Sequence, residues 1–294
     1  MPMIQNGLVK DLARIPFIND FYEINTVKDD INHALAHIDD WAKPTVVDTP
    51  LLLGPARSYV VHEPFGVTLV IGPWNYPITT TVGPLVGAIA AGNCVMVKPS
   101  ELSSHTSRAI KTLMDKYLDQ DCYYCVEGGI EVAKALLRER YDLIIFTGST
   151  DKGKLIAKAA AEYMTPTILE LGGKSPTIVD SSANLSNAAL RITQGRFANS
   201  GQTCIAADYI LLEESISEKF LTLLKDTVIQ FFGTEPKKSP DLGRMITEDH
   251  TRRASGLLTN CGGKVILGGD FDIAEKYISP TLVLNPDPNS ELAK

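Results

Sequence analysis

Short apolar runs recur from Phe65 onward, at residues 67–71, 94–97, 123–126 and 143–146. They lack the alternation of a strand with one face in water, so they predict strands covered on both faces. The stretches between them are helical. In residues 105–118, Ile110, Leu113, Met114, Tyr117 and Leu118 fall at i, i+3, i+4, i+7 and i+8, one apolar face of a helix, and the Ala-rich residues 152–163 predict another. Strand–helix alternation of this kind implies parallel pairing with right-handed crossovers: an α/β chain with a doubly wound parallel sheet. Such a sheet takes its ligand beyond the carboxyl ends of its strands.

After Gly172-Gly173 the pattern restarts with a strand at 177–179, a helix at 185–197 and a strand at 209–212. A further helix is predicted to open on a capping box, Ser215-Ile-Ser-Glu218, and to run through Phe220, Leu224 and Phe231 to a stop at Gly233. Pro236, Lys237, Lys238 and Pro240 mark residues 234–242 as a surface loop. The domain boundary falls near Leu171, giving a first domain over 1–170 and a second over 171–294.

At 294 residues the chain has room for two such cores. With 28 Lys and Arg against 35 Asp and Glu the net charge is −7, which leaves no basic surplus for nucleic acid or an anionic membrane. The longest weakly polar stretch, 82–97, is broken by Gly83, Pro84, Gly87, Gly92 and Asn93, too short and interrupted for a membrane span. The first 14 residues have no signal-peptide pattern, so a reducing cytoplasmic setting is expected. Five scattered cysteines fit free thiols there better than a disulfide framework.

Three motifs invite readings that the residues do not complete. Gly148-Ser-Thr-Asp-Lys-Gly153-Lys154 has the spacing of a phosphate loop, but Leu155 stands where a Mg²⁺-binding hydroxyl is needed. A nucleoside triphosphatase is therefore a runner-up; what survives is a Gly-containing turn into a helix N-terminus, a place for a phosphate. Cys122-Tyr-Tyr-Cys125 has no second pair to complete a zinc site, and on a strand its sulfurs point to opposite faces, which reads as core thiols. His33 and His37, one helical turn apart with no third ligand near, read as a solvated helix face, and no metal site is expected. The G-x-G-x-x-G dinucleotide fingerprint is absent.

Polar residues gather where the sheet would bind. Asn75 follows the strand ending at Ile71, Lys98 and Glu101 follow the strand ending at Val97, Gly148-Ser149 follow Phe146, and Glu170 ends the next apolar run. Glu170, between Leu169 and Leu171, is expected in apolar company that raises a carboxyl pKa and suits a general base. Cys204, in the small polar loop Asn199-Ser-Gly-Gln-Thr-Cys204, is the nucleophile candidate, whereas Cys94, Cys122 and Cys125 are expected to be protected from alkylation.

Taken in order, Gly72-Pro-Trp-Asn75-Tyr-Pro77, Lys98-Pro-Ser-Glu101, Phe146-Thr-Gly-Ser149, Leu169-Glu170-Leu-Gly-Gly-Lys-Ser-Pro176 and Gly201-Gln-Thr-Cys204-Ile-Ala resemble an aldehyde dehydrogenase. Thr165-Pro-Thr-Ile-Leu-Glu-Leu-Gly-Gly-Lys-Ser-Pro with Cys204-Ile-Ala-Ala-Asp-Tyr-Ile-Leu is similar to the class 3, fatty-aldehyde branch. The resemblance implies oxidation of an aldehyde substrate to a carboxylic acid with NAD or NADP. It carries Cys204 over as nucleophile, Asn75 with the Cys204 backbone N–H as oxyanion donors, and Glu170 as the base that activates the deacylating water. Lys98 and Glu101 match the residues at the adenosine ribose, and Gly148, Ser149 and Gly153 the turn at the pyrophosphate; Lys152 departs from the small or apolar residue usual there. The first domain becomes the dinucleotide-binding domain, with an oligomerisation-type strand near 51–64, and the expected partner is a second copy in a homodimer.

Against the family pattern the chain begins partway into the first helical region and stops at Lys294, ahead of a Glu-Ile-Phe-Gly-Pro segment whose Glu holds the nicotinamide ribose. The expectation is an incomplete catalytic domain with exposed apolar surface, and negligible aldehyde oxidation by the isolated chain. Two alternatives stand beside the enzyme: a silent isoform that keeps dinucleotide binding or subunit pairing, and acyl-phosphate or coenzyme A-dependent chemistry, against which Glu170 argues.

Overall fold

A computed structural model describes residues 2–294. It contains, in chain order, α1 (Pro2–Leu12), α2 (Pro16–Asn19), α3 (Asn25–Trp41), β1 (Thr45–Val47), β2 (Ser58–Val60), β3 (Val67–Ile71), α4 (Thr79–Ala90) and β4 (Cys94–Lys98). Next come α5 (Ser104–Tyr117), β5 (Tyr123–Cys125), α6 (Ile130–Leu136), β6 (Leu143–Thr147), α7 (Thr150–Ala161), β7 (Thr167–Glu170) and β8 (Pro176–Val179). The last are α8 (Leu185–Phe197), β9 (Tyr209–Leu212), α9 (Ser217–Phe232), α10 (Glu248–Gly256), β10 (Lys264–Leu267), β11 (Phe271–Asp272), β12 (Tyr277–Ile278) and β13 (Leu282–Leu284).

The chain divides into two compact units. One holds Asp20–Glu101 and Ser107–Glu170; the other holds the chain up to Asn19, Leu102–Thr106 and Leu171–Lys294. The early helix therefore does not go with residues 20–170, as a single boundary near Leu171 would have it. The reason is local bonding: the Asp11 carboxylate accepts from the N–H groups of His105 (3.2 Å) and Thr106 (2.8 Å) and from the Thr106 hydroxyl (2.7 Å). The Leu12 carbonyl accepts from the Arg244 N–H at 3.2 Å.

The unit around residues 20–170 is built on a five-stranded, all-parallel sheet in the order β5-β4-β3-β6-β7, the doubly wound arrangement the pattern predicts. Leu69, Val70, Val95, Val97 and Ile144 are buried at consecutive or alternate positions alike, because helices cover both faces. The chain runs from β3 outward to β4 and β5, then returns to the other side of β3 for β6 and β7. The order thus reverses between β3 and β6, the crevice where such sheets bind ligands. The expected strand across 51–64 exists only as β2, which pairs antiparallel with β1. Residues 51–53 are a 3₁₀ turn instead, with Leu51 and Leu52 97% and 98% exposed, since Pro50 and Pro55 on either side cannot donate to a ladder.

In the other unit β8 pairs parallel with β9, and α8 and α9 cover one face through Val179, Ala189, Phe220 and Leu224. The opposite face carries Ile178 (75% exposed) and Leu211 (52%). The apolar face of α9 continues through Val228 and Phe232 to Leu242 and Tyr277. The predicted capping box does not form. Ser215 sits in a 3₁₀ turn (Glu214–Ile216), its hydroxyl donates to the Glu213 carboxylate, and α9 starts two residues later with no side-chain cap. Glu213 already accepts from the Ser181 N–H at 2.7 Å, so this carboxylate wins the serine.

Candidate active site

Six of the sequence-predicted residues come to the carboxyl edge of the five-stranded sheet. The register pairs Ile71 with both Lys98 and Phe146, and Thr147 with Glu170, so β4, β3, β6 and β7 end nearly level. Beyond the strands the backbone stays tied: the Gly72 N–H donates to the Lys98 carbonyl at 3.0 Å and the Gly148 N–H to the Glu170 carbonyl at 2.9 Å. Asn75 lies in the β3–α4 loop, partly buried, beside the point where the strand order reverses. Only glycine fits at the start of that loop, since a Cβ on Gly72 would stand 1.8 Å from the Thr81 hydroxyl oxygen.

A residue without any sequence signal fixes the far end of this loop. Glu23, fully buried in a π-helical turn (Asp20–Ile24), accepts with one carboxylate oxygen from the N–H groups of Ile78 and Thr79, both at 3.0 Å. A negative charge on two first-turn donors of α4 suits the positive end of that helix. The Thr79 hydroxyl adds a 2.6 Å bond to the Tyr22 carbonyl.

Lys98 is buried, its side chain 4% exposed, and its ammonium donates to the Pro99 carbonyl and to Glu101 Oε2, each at 3.1 Å; Glu101 itself is half exposed. Ser149 is the N-cap of α7 in extended conformation, and its side chain accepts no cap bond, so it leaves the first-turn N–H groups of this twelve-residue helix uncapped. Gly153 differs from its assignment. It is buried one turn into α7 and its N–H is spent on the Ser149 carbonyl at 2.9 Å, so it has no donor for a phosphate. Its place is packing.

Glu170 also differs. The apolar enclosure expected for it is missing: alternation along β7 turns Ile168 and Glu170 outward, and the carboxylate is exposed.

Cys204 belongs to the other unit, in a turn closed by the Ala206 N–H on the Thr203 carbonyl (3.2 Å). Asn199, Ser200 and Gly201 precede it with φ of 53°, 55° and 77°, three successive left-handed residues that reverse the chain out of α8. Such a conformation is costly for Ser200 and persists only where its surroundings fix it. Gln202 does the fixing. Its Nε2 donates to the carbonyls of Asn199 and Arg244 and its Oε1 accepts from the Ile246 N–H, all at 3.0 Å. Arg244 in turn donates to the carbonyls of Leu242 and Lys237 and lies over the Tyr277 ring. On the far side of Cys204, Asp208 pairs with Arg196 (3.2 Å) and with Lys174. Gly173 passes close to the loop, its Cβ position 3.7 Å from the Cys204 carbonyl oxygen.

The other thiols fall into two groups. Cys125 and Cys261 are buried, and burial pushes the Cys125 thiol up to about 12, so it stays protonated. Cys94 and Cys122 are half-buried like Cys204, not sealed in the core as the sequence predicts. On α3 His33 is exposed and His37 half-buried; the His37 ring stacks on Trp41 and lies tilted against His33. Among the described residues, no helix is long and apolar enough to cross a membrane.

The family comparison agrees with the motifs on the sheet edge. The sequence model of the aldehyde dehydrogenase family matches residues 15–294. The chain is 42% identical over 283 residues to aldehyde dehydrogenase family 3 member B2 of Mus musculus, covering 96% of this chain and 59% of that protein. It is 42% identical over 287 residues to the dimeric NADP-preferring aldehyde dehydrogenase of Rattus norvegicus, covering 98% and 63%. The substrate-bound state of Staphylococcus aureus AldH superposes with a TM-score of 0.94 at 40% identity, over 99% of this chain and 64% of that one. The chain thus spans about three-fifths of the length of these curated relatives. With nearly its whole length matched and the motif residues in strand order at the sheet's carboxyl edge, this chain belongs to the aldehyde dehydrogenase family.

Proposed function

We propose that these residues serve the NAD- or NADP-dependent oxidation of an aldehyde to a carboxylic acid. The observation that carries the reading is the shared sheet edge: a buried lysine with a carboxylate partner, an uncapped helix N-terminus and Glu170 stand together where the strand order reverses. A dinucleotide needs N–H donors for its diphosphate and a donor–acceptor pair for a ribose; the first turn of α7 supplies the former, Lys98 with Glu101 the latter. The residues therefore fit the cofactor, with Lys98, Glu101, Gly148 and Ser149 holding it. When bound, it supplies the acceptor for the hydride that leaves the substrate carbon.

The chain's own residues do the rest. The Cys204 thiolate adds to the aldehyde carbonyl and a C–S bond forms, giving a thiohemiacetal. The Asn75 amide and the Cys204 N–H donate to the oxygen on which negative charge gathers. Once the carbon is at the thioester level, Glu170 takes a proton from a water molecule. The water oxygen adds, the C–S bond breaks, and the acid leaves with the thiol restored. Exposure of Glu170 to solvent suits a base that must draw water. The motif resemblance to the fatty-aldehyde branch favours a fatty aldehyde, and the relative named as dimeric favours pairing with a second copy.

The test is purified protein with NAD or NADP and a medium-chain aldehyde, followed by absorbance of the reduced cofactor and by mass spectrometry of Cys204. Turnover lost in Cys204→Ala, or an acyl group trapped on Cys204, supports the reading. Cofactor binding with neither turnover nor acylation favours the silent isoform.

A further inference from the structure

The two half-buried thiols outside this site form a pair of their own. Among the described residues β5 is an edge strand that pairs only with β4, in the register Val95 with Tyr123, Met96 with Tyr124 and Val97 with Cys125. One step back along these parallel strands Cys94 meets Cys122, and the Val95 N–H donates to the Cys122 carbonyl at 2.8 Å, which holds them level. Side chains two apart share a face, so Cys94 goes with Met96 and Lys98, and Cys122 with Tyr124. Both sulfurs are therefore on one face, side by side, where Cys94 acts on the Cys122 thiol. Adjacent strands lie about 4.8 Å apart, within the ~4.4–6.8 Å that Cα atoms span across a disulfide. Among the described residues β5 is bonded to a strand on one side only, so it can shift to let the bond close.

We propose that Cys94 and Cys122 form an oxidisable dithiol, which a peroxide converts into a disulfide joining β4 to β5. The sequence motif Cys122-x-x-Cys125 is not this pair, since Cys125 is buried on the opposite face. A Cys94 thiolate attacks one peroxide oxygen, the O–O bond breaks, and hydroxide leaves a sulfenic acid on Cys94. The Cys122 sulfur then attacks the Cys94 sulfur, the S–O bond breaks and water leaves. In sum two thiols lose two electrons and two protons, and one hydrogen peroxide is reduced to two waters. The neighbouring Cys94 thiol, with burial and the nearby Asp119 and Asp121 adding, holds the Cys122 thiol above its usual range. A sulfenic acid trapped in Cys122→Ser assigns the order of attack.

The experiment treats the folded chain with hydrogen peroxide, blocks remaining thiols with N-ethylmaleimide and digests it without reductant. The expected product is a peptide pair joining Cys94 to Cys122, two hydrogens lighter than its parts and split by dithiothreitol. Alkylation of both residues should fall in parallel by about tenfold. In Cys122→Ser the cross-link is lost and dimedone labels Cys94 as a sulfenic acid. Full alkylation of both residues after a peroxide dose that consumes Cys204, a link that forms only in urea, or a Cys122–Cys125 link in the folded chain would each overturn the proposal. None of these readouts depends on aldehyde turnover, so the outcome is separate from that of the proposed activity.

Discussion

The five-stranded sheet and the β8–β9 pair hold their candidate site residues in different ways. In the former, Leu69 and Val70 on β3 are both buried, 0% and 1% exposed, so neither face is free. In the latter, Val179 is buried while its neighbour Ile178 is 75% exposed. A strand covered on both faces is fixed by its ladder and by packing, and the loops beyond its end inherit that position. Asn75, Lys98 and Glu170 are placed this way. Cys204 instead precedes a half-covered strand, and its loop is set by three left-handed residues and the Gln202 side chain. Precision comes from backbone register in one region and from side-chain hydrogen bonds in the other.

The strongest way to probe the register-held region is to remove a donor without moving the ladder. A well-aimed oxyanion donor is worth ~10²–10³ in turnover, so in a chain completed to the length of its relatives Asn75→Ala should cost about that factor in kcat, with the affinity for NAD or NADP little changed. Steady-state kinetics beside cofactor titration separates the two. A loss below about tenfold would leave the oxyanion to backbone donors alone.

Stability should divide the regions in the same way. Leu69→Ala opens a cavity between two helix layers and should cost about 2–5 kcal/mol, read as a lower urea midpoint at unchanged slope. Gln202→Ala removes the side-chain partner of the Arg244 carbonyl and of the Ile246 N–H, at about 1–3 kcal/mol, and releases the Cys204 loop. Faster alkylation of Cys204 would show that release, whereas an unchanged rate would mean that the backbone holds the loop by itself.

What could be read beforehand follows from the same division. The apolar runs at 67–71, 94–97 and 143–146 revealed the sheet because burial on both faces leaves no polar break, and the motifs then fell at strand ends. The partners that tune these positions left no periodic trace. Glu23 lies 55 residues from Ile78, and a lone glutamate in a helical stretch looks like a solvated charge. Ser215 and Glu218 had the spacing of a cap but lost to Glu213, a competitor visible only in three dimensions. The apolar neighbours of Glu170 predict an apolar setting, but a strand sends them to the opposite face. The same holds for Cys94 beside Val95, and its register with Cys122 appears in no local pattern.

Alkaline pH gives a further measure of the covered sheet. Burial holds the Cys125 thiol at about 12, while in the unfolded chain it titrates near its ordinary value of 9.0. Between these values the unfolded state has lost a proton that the folded state keeps, so stability falls as pH rises through that window and is unaffected by this group below it. Melting temperatures from pH 8 to 10.5 should decline, and Cys125→Val should flatten the decline. Equal slopes would assign the alkaline loss to the buried tyrosines instead, of which Tyr141 is likewise pushed up by burial.

The smallest effect should come from the open face of β8. Ile178 is 75% exposed, so little apolar area is lost to water when it is replaced, and threonine keeps the branched Cβ that a strand accommodates. Ile178→Thr should therefore change stability by no more than about 0.5 kcal/mol, against several for Leu69→Ala. The contrast is informative because both are large aliphatic residues in short parallel strands, and only the covering differs. Chemical denaturation at two protein concentrations makes the comparison sharp. A loss above about 1 kcal/mol that grows with concentration would mean that this face is covered in solution by a second copy. A concentration-independent loss of that size would mean instead that the β8–β9 pair, like the five-stranded sheet, depends on both of its faces.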